Sequence, residues 1–199
     1  MNIKRFVLSM YRSNCYVLDN EGHALVIDPG DEPSAVIDYI KSKKLIVDAI
    51  YLTHGHIDHV GGVKAFIEKI NVPVFASYND INWLTLTNLN RLGYEIPVTN
   101  WIKDKEKLHF ISKTFTVYET PGHSKGSTVL HVDNLIFSGD TIFYQSIGRT
   151  DIAEGNMKDI YNSIKRLYQL FPNETKIYPG HGLSTSIGHE KENNPFVRG

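Results

Sequence analysis

Three histidines and an aspartate fall within six consecutive positions, in the segment THGHIDHVGG at 53–62: His54, His56, Asp58 and His59. They come directly after an apolar run, Ile46–Thr53, that reads as a β-strand. If the backbone stays extended through 54–56, alternate side chains share a face, so His54 and His56 can reach one ion from the same side. Asp58 and His59, beyond a turn, can aim at a second. At this chain's histidine content, H-x-H-x-D-H arises by chance in roughly one such sequence per thousand. A chain carrying this segment therefore has to fold so that a strand end delivers four metal-competent groups to one place.

Three further candidates follow apolar runs and sit beside glycine: His123 in TPGHSKGS, Asp140 in FSGDTIF and His181 in YPGHG. Each alone is an ordinary loop or turn residue. Together they place ligand types at strand ends, where open sites are usually built. The single cysteine, Cys15, rules out a Cys-cluster zinc site and an internal disulfide; it fits a reducing, cytoplasmic location and reads as a small core residue. A chain of 199 residues buries enough surface to fold without a structural metal, so a metal here would serve chemistry. The net charge of -1 gives no broad footprint for nucleic acid or an anionic membrane, and no apolar run nears the roughly 20 residues of a membrane span. The stretch Phe6–Tyr11 is too short for a signal-peptide core. A small molecule is the expected partner.

The chain opens with three β-rich runs, IKRFVLS, NCYVLD and HALVIDPG, and then a helical stripe at Val36, Ile37 and Ile40. Val63, Phe66, Ile67 and Ile70 form another stripe, VPVFAS reads as a strand, and Ile81 to Leu92 as one helix. KLHFISKTFTVYET gives two strands, TVLHV and NLIFSGD a hairpin, Met157 to Phe171 the clearest amphipathic helix, and KIYP a last strand. No linker, repeat or low-complexity segment interrupts 1–199, which reads as a single domain. Meanders alternating with one-sided helices suggest sheets covered by helices, an α/β fold with mixed sheets.

Through HGHIDH at 54–59, Gly122-His123, Gly139-Asp140 and Gly180-His181, in that order, the chain resembles the metallo-β-lactamase superfamily. The likeness spans nearly the whole chain, including NCYVLDN, VIDPG and TSIGHEKENNPF. It implies a four-layer αββα sandwich with two divalent ions in a cleft at the sheet edges. His54, His56 and His123 would hold one, Asp58, His59 and His181 the other, and Asp140 would bridge them. Zinc suits such donors, and iron or manganese would tolerate them.

Within the superfamily, GDTIFYQSIGRTDIAEGN at 139–156 is most similar to short glyoxalase II-like proteins, the hydroxyacylglutathione hydrolases. The implied reaction is thioester hydrolysis, as of S-lactoylglutathione, by a hydroxide held between the two ions, with Asp58 ligating and orienting it. Glyoxalase II enzymes carry Lys and, two residues on, Tyr at this place; here Arg149 and Asp151 stand there, and Arg149 is the candidate anchor for a substrate carboxylate, with an ion pair as its ordinary reading. GRTD is also similar to persulfide dioxygenases, in which His54, His123 and Asp140 would hold a single iron. Lactone or other ester hydrolysis and a non-catalytic metal-binding scaffold are the remaining alternatives, while a β-lactamase role is disfavoured. His23, His109, His131 and His189 read as structural or exposed, Trp83, Tyr94 and Trp101 as packing residues with a possible place at the cleft mouth, and Glu190 and Asn194 as partners for backbone groups.

Overall fold

Strand periodicity of two and helix periodicity of 3.6 resolve, in a computed structural model describing residues 1–199, into two six-stranded sheets packed between helices. The first sheet holds β1 (Asn2–Leu8), β2 (Ser13–Asn20), β3 (His23–Ile27), β4 (Ile46–Tyr51), β5 (Val74–Ser77) and β6 (Asn100–Ile102), in that spatial order. β1, β2 and β3 pair antiparallel; β3 to β6 pair parallel, as the crossovers between them require. Those crossovers carry α1 (Ser34–Lys43), α2 (Ile57–Val60), α3 (Val63–Ile67), α4 (Ile81–Thr85) and α5 (Thr87–Asn90).

The second sheet holds β7 (Lys107–Phe110), β8 (Lys113–Glu119), β9 (Thr128–Val132) and β10 (Leu135–Gly139) as an antiparallel meander. A small hairpin follows, β11 (Ile142–Phe143) with β12 (Ser146–Ile147), and then α6 (Met157–Leu170). β13 (Lys176–Pro179) pairs parallel to β10, β14 (Thr185–Ser186) lies outside it, and α7 (Ile187–Asn193) ends the series.

Three buried apolar clusters fill the three gaps between the four layers. Along β2, Cys15 and Val17 face α1, α3 and α4, while Tyr16 and Leu18 face the second sheet. β3 alternates in the same way, with Ala24 and Val26 outward and Leu25 and Ile27 inward. The middle cluster meets Phe115, Val117, Leu130 and Phe137 of the second sheet. Val129, Ile136 and Ile177 on that sheet's other face pack against Ile160, Ile164 and Leu167 of α6. Asn156 starts α6 by accepting from the amides of Lys158 and Asp159 at 2.9 and 3.1 Å. This is the αββα sandwich that the motif order implied.

The single helix expected over Ile81–Leu92 is two short ones, a correction. Leu86 turns extended at φ -84, ψ 101. Three asparagines and two threonines fall in this stretch, and Thr85 Oγ1 donates to the Ile81 carbonyl at 2.8 Å, the local side-chain competition that weakens helices. α3 likewise stops at Ile67, short of the stripe that reached Ile70. β6, the β11–β12 hairpin and α7 are too short to leave a periodic signal. No helix is long and apolar enough to cross a membrane.

Candidate metal centre

Every ligand foreseen in the sequence follows the C-terminal end of a strand: His54, His56, Asp58 and His59 after β4, His123 after β8, Asp140 after β10 and His181 after β13. The two sheets bring these ends to one edge, joined by the Thr128 amide donating to the Thr53 carbonyl at 2.8 Å and by Tyr51 hydroxyl meeting Thr128 Oγ1 at 2.8 Å. Two triads result, His54/His56/His123 and Asp58/His59/His181, each with ligand atoms within 4.8 Å of one another. Asp140 reaches both: its oxygens lie 3.3 Å from His59 Nε2, 3.5 Å from His123 Nε2 and 3.5 Å from His181 Nε2. Gly180 has to be glycine here, since a Cβ would strike Asp140 Oδ1 and His59 Cε1.

The hydrogen bonds behind the rings assign their tautomers. Thr53 Oγ1 donates to Asp28 Oδ2 at 2.7 Å and so accepts from His54 Nδ1 at 3.0 Å, leaving His54 Nε2 with a free lone pair. His59 Nδ1 donates to Asp28 Oδ2 at 2.9 Å, and His123 Nδ1 donates to the Arg149 carbonyl at 2.8 Å. Both rings therefore turn Nε2 toward the centre. His123 Nε2 faces His56 Nδ1 at 2.8 Å.

His54 Nε2, His59 Nε2 and Asp140 Oδ1 are buried with no hydrogen-bond partner. The last two approach within 3.3 Å without hydrogen-bonding geometry. Buried polar atoms of this kind carry a desolvation penalty that a cation would remove, so the residues fit a metal. A third grouping, Asp28 with His54 and His59, has comparable spacing. Asp28 already accepts from Thr53 N, Thr53 Oγ1 and His59 Nδ1, so it orients ligands and is not itself one.

Charge divides the two triads. Burial, with neighbouring imidazoles adding to it, holds His54 well below its ordinary pKa, and burial with His123 beside it takes His56 down to about 3. Burial also opposes charge at Asp58 and Asp140, but His59 and the bond from His181 outweigh it and hold both carboxyls below the usual range. At His59 burial is overcome by Asp140, Asp58 and Asp28, and at His181 by hydrogen bonds to Asp140 and Asp58, which raise it to about 9. Protons on these two rings balance the carboxylates; a divalent ion supplies the same charge and displaces them.

Sequence reasoning missed the groups that hold the ligands in place. Asp28 ends the apolar run HALVI at the same sheet edge, a visible if weak signal. Asp80 is buried and accepts from Gly55 N at 2.8 Å, Ser124 Oγ at 2.8 Å and Gly126 N at 2.6 Å, tying the His54–His56 loop to the His123 loop. Ser13 Oγ donates to the Asp58 carbonyl at 2.7 Å; Asn14 Nδ2 and Tyr16 hydroxyl fasten the turn before His181 through the Pro179 carbonyl. Nothing in spacing or pattern marked Asp80, Ser13 or Asn14.

The centre opens into a cleft of about 740 Å³ with Tyr11, Trp83, Leu89, Phe143 and Ile152 in its walls. Trp83 packs edge-on against His56, ring centroids 4.3 Å apart. Tyr94 instead bonds the Gly61 carbonyl, and Trp101 pairs with Tyr78. Arg149 lines the cleft, its guanidinium forked onto Asp151 at 2.7 and 2.9 Å, the ion-pair reading. Glu190 and Asn194 do hold backbone: Glu190 accepts from Gln145 N and Asn194 donates to the Ser146 carbonyl, pinning the β11–β12 hairpin at the cleft. His23, His109, His131 and His189 lie outside the centre, the first against Asp48 and the last stacked on Tyr144.

The family model described as metallo-beta-lactamase superfamily matches residues 10–181. A probable metallo-hydrolase of Bacillus subtilis, YqgX, is 35% identical over 100% of this chain and 99% of its own. The hydroxyacylglutathione hydrolase GloC of Haemophilus influenzae is 30% identical over 99% of this chain and 98% of its own. Among solved structures, the BLEG-1 B3 metallo-beta-lactamase has a TM-score of 0.91 at 35% identity, covering 100% of both chains. TTHA1623, solved in a di-iron-bound form, has a TM-score of 0.87 at 34% identity, covering 98% of this chain and 100% of its own.

Proposed function

The chain belongs to the metallo-beta-lactamase superfamily and is a metallo-hydrolase of that family, and from this premise we propose that it hydrolyses a thioester, in the manner of a hydroxyacylglutathione hydrolase. The observation that carries the proposal is the pair of triads meeting at Asp140 on the floor of an open cleft. The GloC relative supports the substrate class. His54, His56 and His123 would hold one divalent ion, Asp58, His59 and His181 a second, and Asp140 would touch both. Zinc is the ion proposed from the donor set, with iron, present in TTHA1623, and manganese as alternatives. When bound, a pair of such cations supplies Lewis acidity and a water ionised near neutral pH.

The chain's own residues prepare the rest. Burial keeps His54 and His56 unprotonated, so their lone pairs are available near pH 7. Asp28 and the Arg149 carbonyl fix the rings of His59 and His123, which leaves little reorganisation at the moment of reaction. Asp58, held by its neighbours in the ionised form, orients the attacking water. Trp83, Phe143 and Ile152 receive the apolar part of the substrate. No glutamate or lysine lines the cleft, Asp58 and Asp140 are ionised, and a cation would displace the proton of His181, which leaves the weakly acidic Tyr11 hydroxyl as the one acid in the wall outside the centre. A leaving group that departs without a proton fits this wall, and a thiolate is one.

A second reading, lactam hydrolysis, is favoured by the likeness to BLEG-1. The test assays metal-loaded protein against S-lactoylglutathione and nitrocefin, with elemental analysis and an oxygen electrode. Two ions per chain and thioester turnover without oxygen uptake are expected. Nitrocefin turnover alone would replace the thioester reading, and one iron with oxygen consumption would indicate a dioxygenase.

A further inference from the structure

Two arginines line the cleft, and they differ in what they already hold. The fork of Arg149 is closed on both carboxylate oxygens of Asp151, the edge a substrate carboxylate would need. The guanidinium of Arg91 makes no hydrogen bond or ion pair within the protein. Asp58 and Asp140 belong to the metal centre, so Arg91 is the one uncompensated charge in the cleft wall outside it. The rest of that wall is largely apolar, with Ile57, Trp83, Leu89, Phe143, Ile147 and Ile152.

The backbone of Arg91, an exposed residue, is fixed in place. It caps α5 in the left-handed region at φ 59, with its amide on the Thr87 carbonyl at 3.0 Å. Asn90 beside it is buried; Oδ1 accepts from Leu92 N at 2.9 Å and Nδ2 donates to the Tyr94 carbonyl at 3.2 Å. Tyr94 hydroxyl in turn donates to the Gly61 carbonyl at 2.7 Å, just past the helix that carries Asp58 and His59. The base of this side chain is thus tied to the metal loop through two hydrogen-bonded residues.

We propose that Arg91 binds an anionic group of the substrate, a carboxylate, while the apolar wall holds the stem between that group and the metal centre. Resting on the thioesterase reading, this narrows the substrate class to anionic thioesters and places their specificity at the C-terminal end of α5, away from 139–156. Arg91 is a specificity-determining residue and takes no part in bond breaking.

The experiment compares the metal-loaded protein with Arg91→Ala, Arg91→Lys and Arg149→Ala on S-lactoylglutathione, which carries carboxylates, and S-acetyl-N-acetylcysteamine, which carries none. Arg91→Ala is expected to raise KM for the first about 10- to 100-fold, the effect of a lost charge-assisted hydrogen bond, with kcat within about two-fold and the neutral thioester unaffected. Arg91→Lys should recover part of the loss, and Arg149→Ala, whose guanidinium is closed on Asp151, should show no anion-selective effect. Equal losses on both substrates, or an anion-selective loss in Arg149→Ala instead, would overturn the proposal. Calorimetric titration with S-methylglutathione, which has the carboxylates and no thioester, separates this from the reaction itself. Binding that weakens in Arg91→Ala supports the assignment even if neither thioester turns over, an outcome that sinks only the thioesterase reading. Binding that is absent in the parent, or unchanged in the variant, rejects Arg91.

Discussion

The two triads share one loop and differ in almost everything around it. His54, His56 and His123 are buried, burial keeps the first two uncharged, and Asp80 reaches the loops on both sides of the triad without touching a ring. In the other triad, His181 and Asp58 have side chains 28% and 17% exposed, carry charge, and gather around His59 with Asp28 directly behind it. One triad is three buried imidazoles, two of them in the cleft wall; its partner is an ion-paired cluster whose Asp58 and His181 are half-buried. The difference teaches that one fold edge can present two cation sites of unlike chemistry simply by mixing carboxylates into one of them.

Asp140 is where the comparison breaks first, because its two carboxylate oxygens approach rings of both triads. Asp140→Ala is expected to lower kcat/KM about 10⁴-fold, since several kcal/mol of Lewis-acid stabilisation is lost. Elemental analysis should find both ions weakened; retention of two tight ions would contradict the bridging position.

pH separates the triads next. Carboxylate neighbours hold a proton on His181 up to about pH 9 and also on His59, so a cation entering that triad must displace them, and affinity there should rise about tenfold per pH unit for each proton displaced between 6 and 9. Burial takes His56 down to about 3 and holds His54 well below its ordinary pKa, so neither ring gives up a proton to a cation over this range and the all-histidine triad should show the flatter profile. Chelator competition with cobalt, followed by its absorption, reads both affinities; two parallel slopes would erase the distinction.

The buttresses give a smaller contrast. Asp28→Asn should weaken the Asp58/His59/His181 site about 10- to 100-fold and, through Thr53, the all-histidine site by less, while Asp80→Asn should weaken the all-histidine site by a similar factor and spare the other. Equal losses at both sites from either variant would show that the shell acts as one unit. Smallest is Ser13→Ala, which removes one hydrogen bond to the Asp58 carbonyl, worth about 1 kcal/mol. The same competition assay should record an affinity about five-fold lower at the ion-paired site alone.

Legibility in the sequence tracked chain distance. Four ligands within 54–59 sit on one strand end, so local geometry sufficed to bring them together, and His123, Asp140 and His181 stood out because each follows an apolar strand and a glycine. The strands of both sheets were readable wherever alternation ran for five residues or more, as in β2, β3 and β8. Asp80 and Ser13 were silent because their roles are set by contacts 25 to 46 residues away in the chain, which leave no pattern beside them. The break at Leu86 was hidden for a related reason: leucines and isoleucines kept a helical spacing while side-chain hydrogen bonds from threonine ended the helix.

The sequence by itself determined which atoms can bind a cation and which layers must form, because donor chemistry and period-two or period-3.6 burial are properties of side chains in local order. Tertiary structure decided how deeply each triad is buried, which rings gain carboxylate partners, and which arginine is free to meet a substrate. Those outcomes depend on burial and on the orientation of a partner group, Asp151 against Arg149 or Asp28 against His59, and both arise only when distant strand ends share one edge.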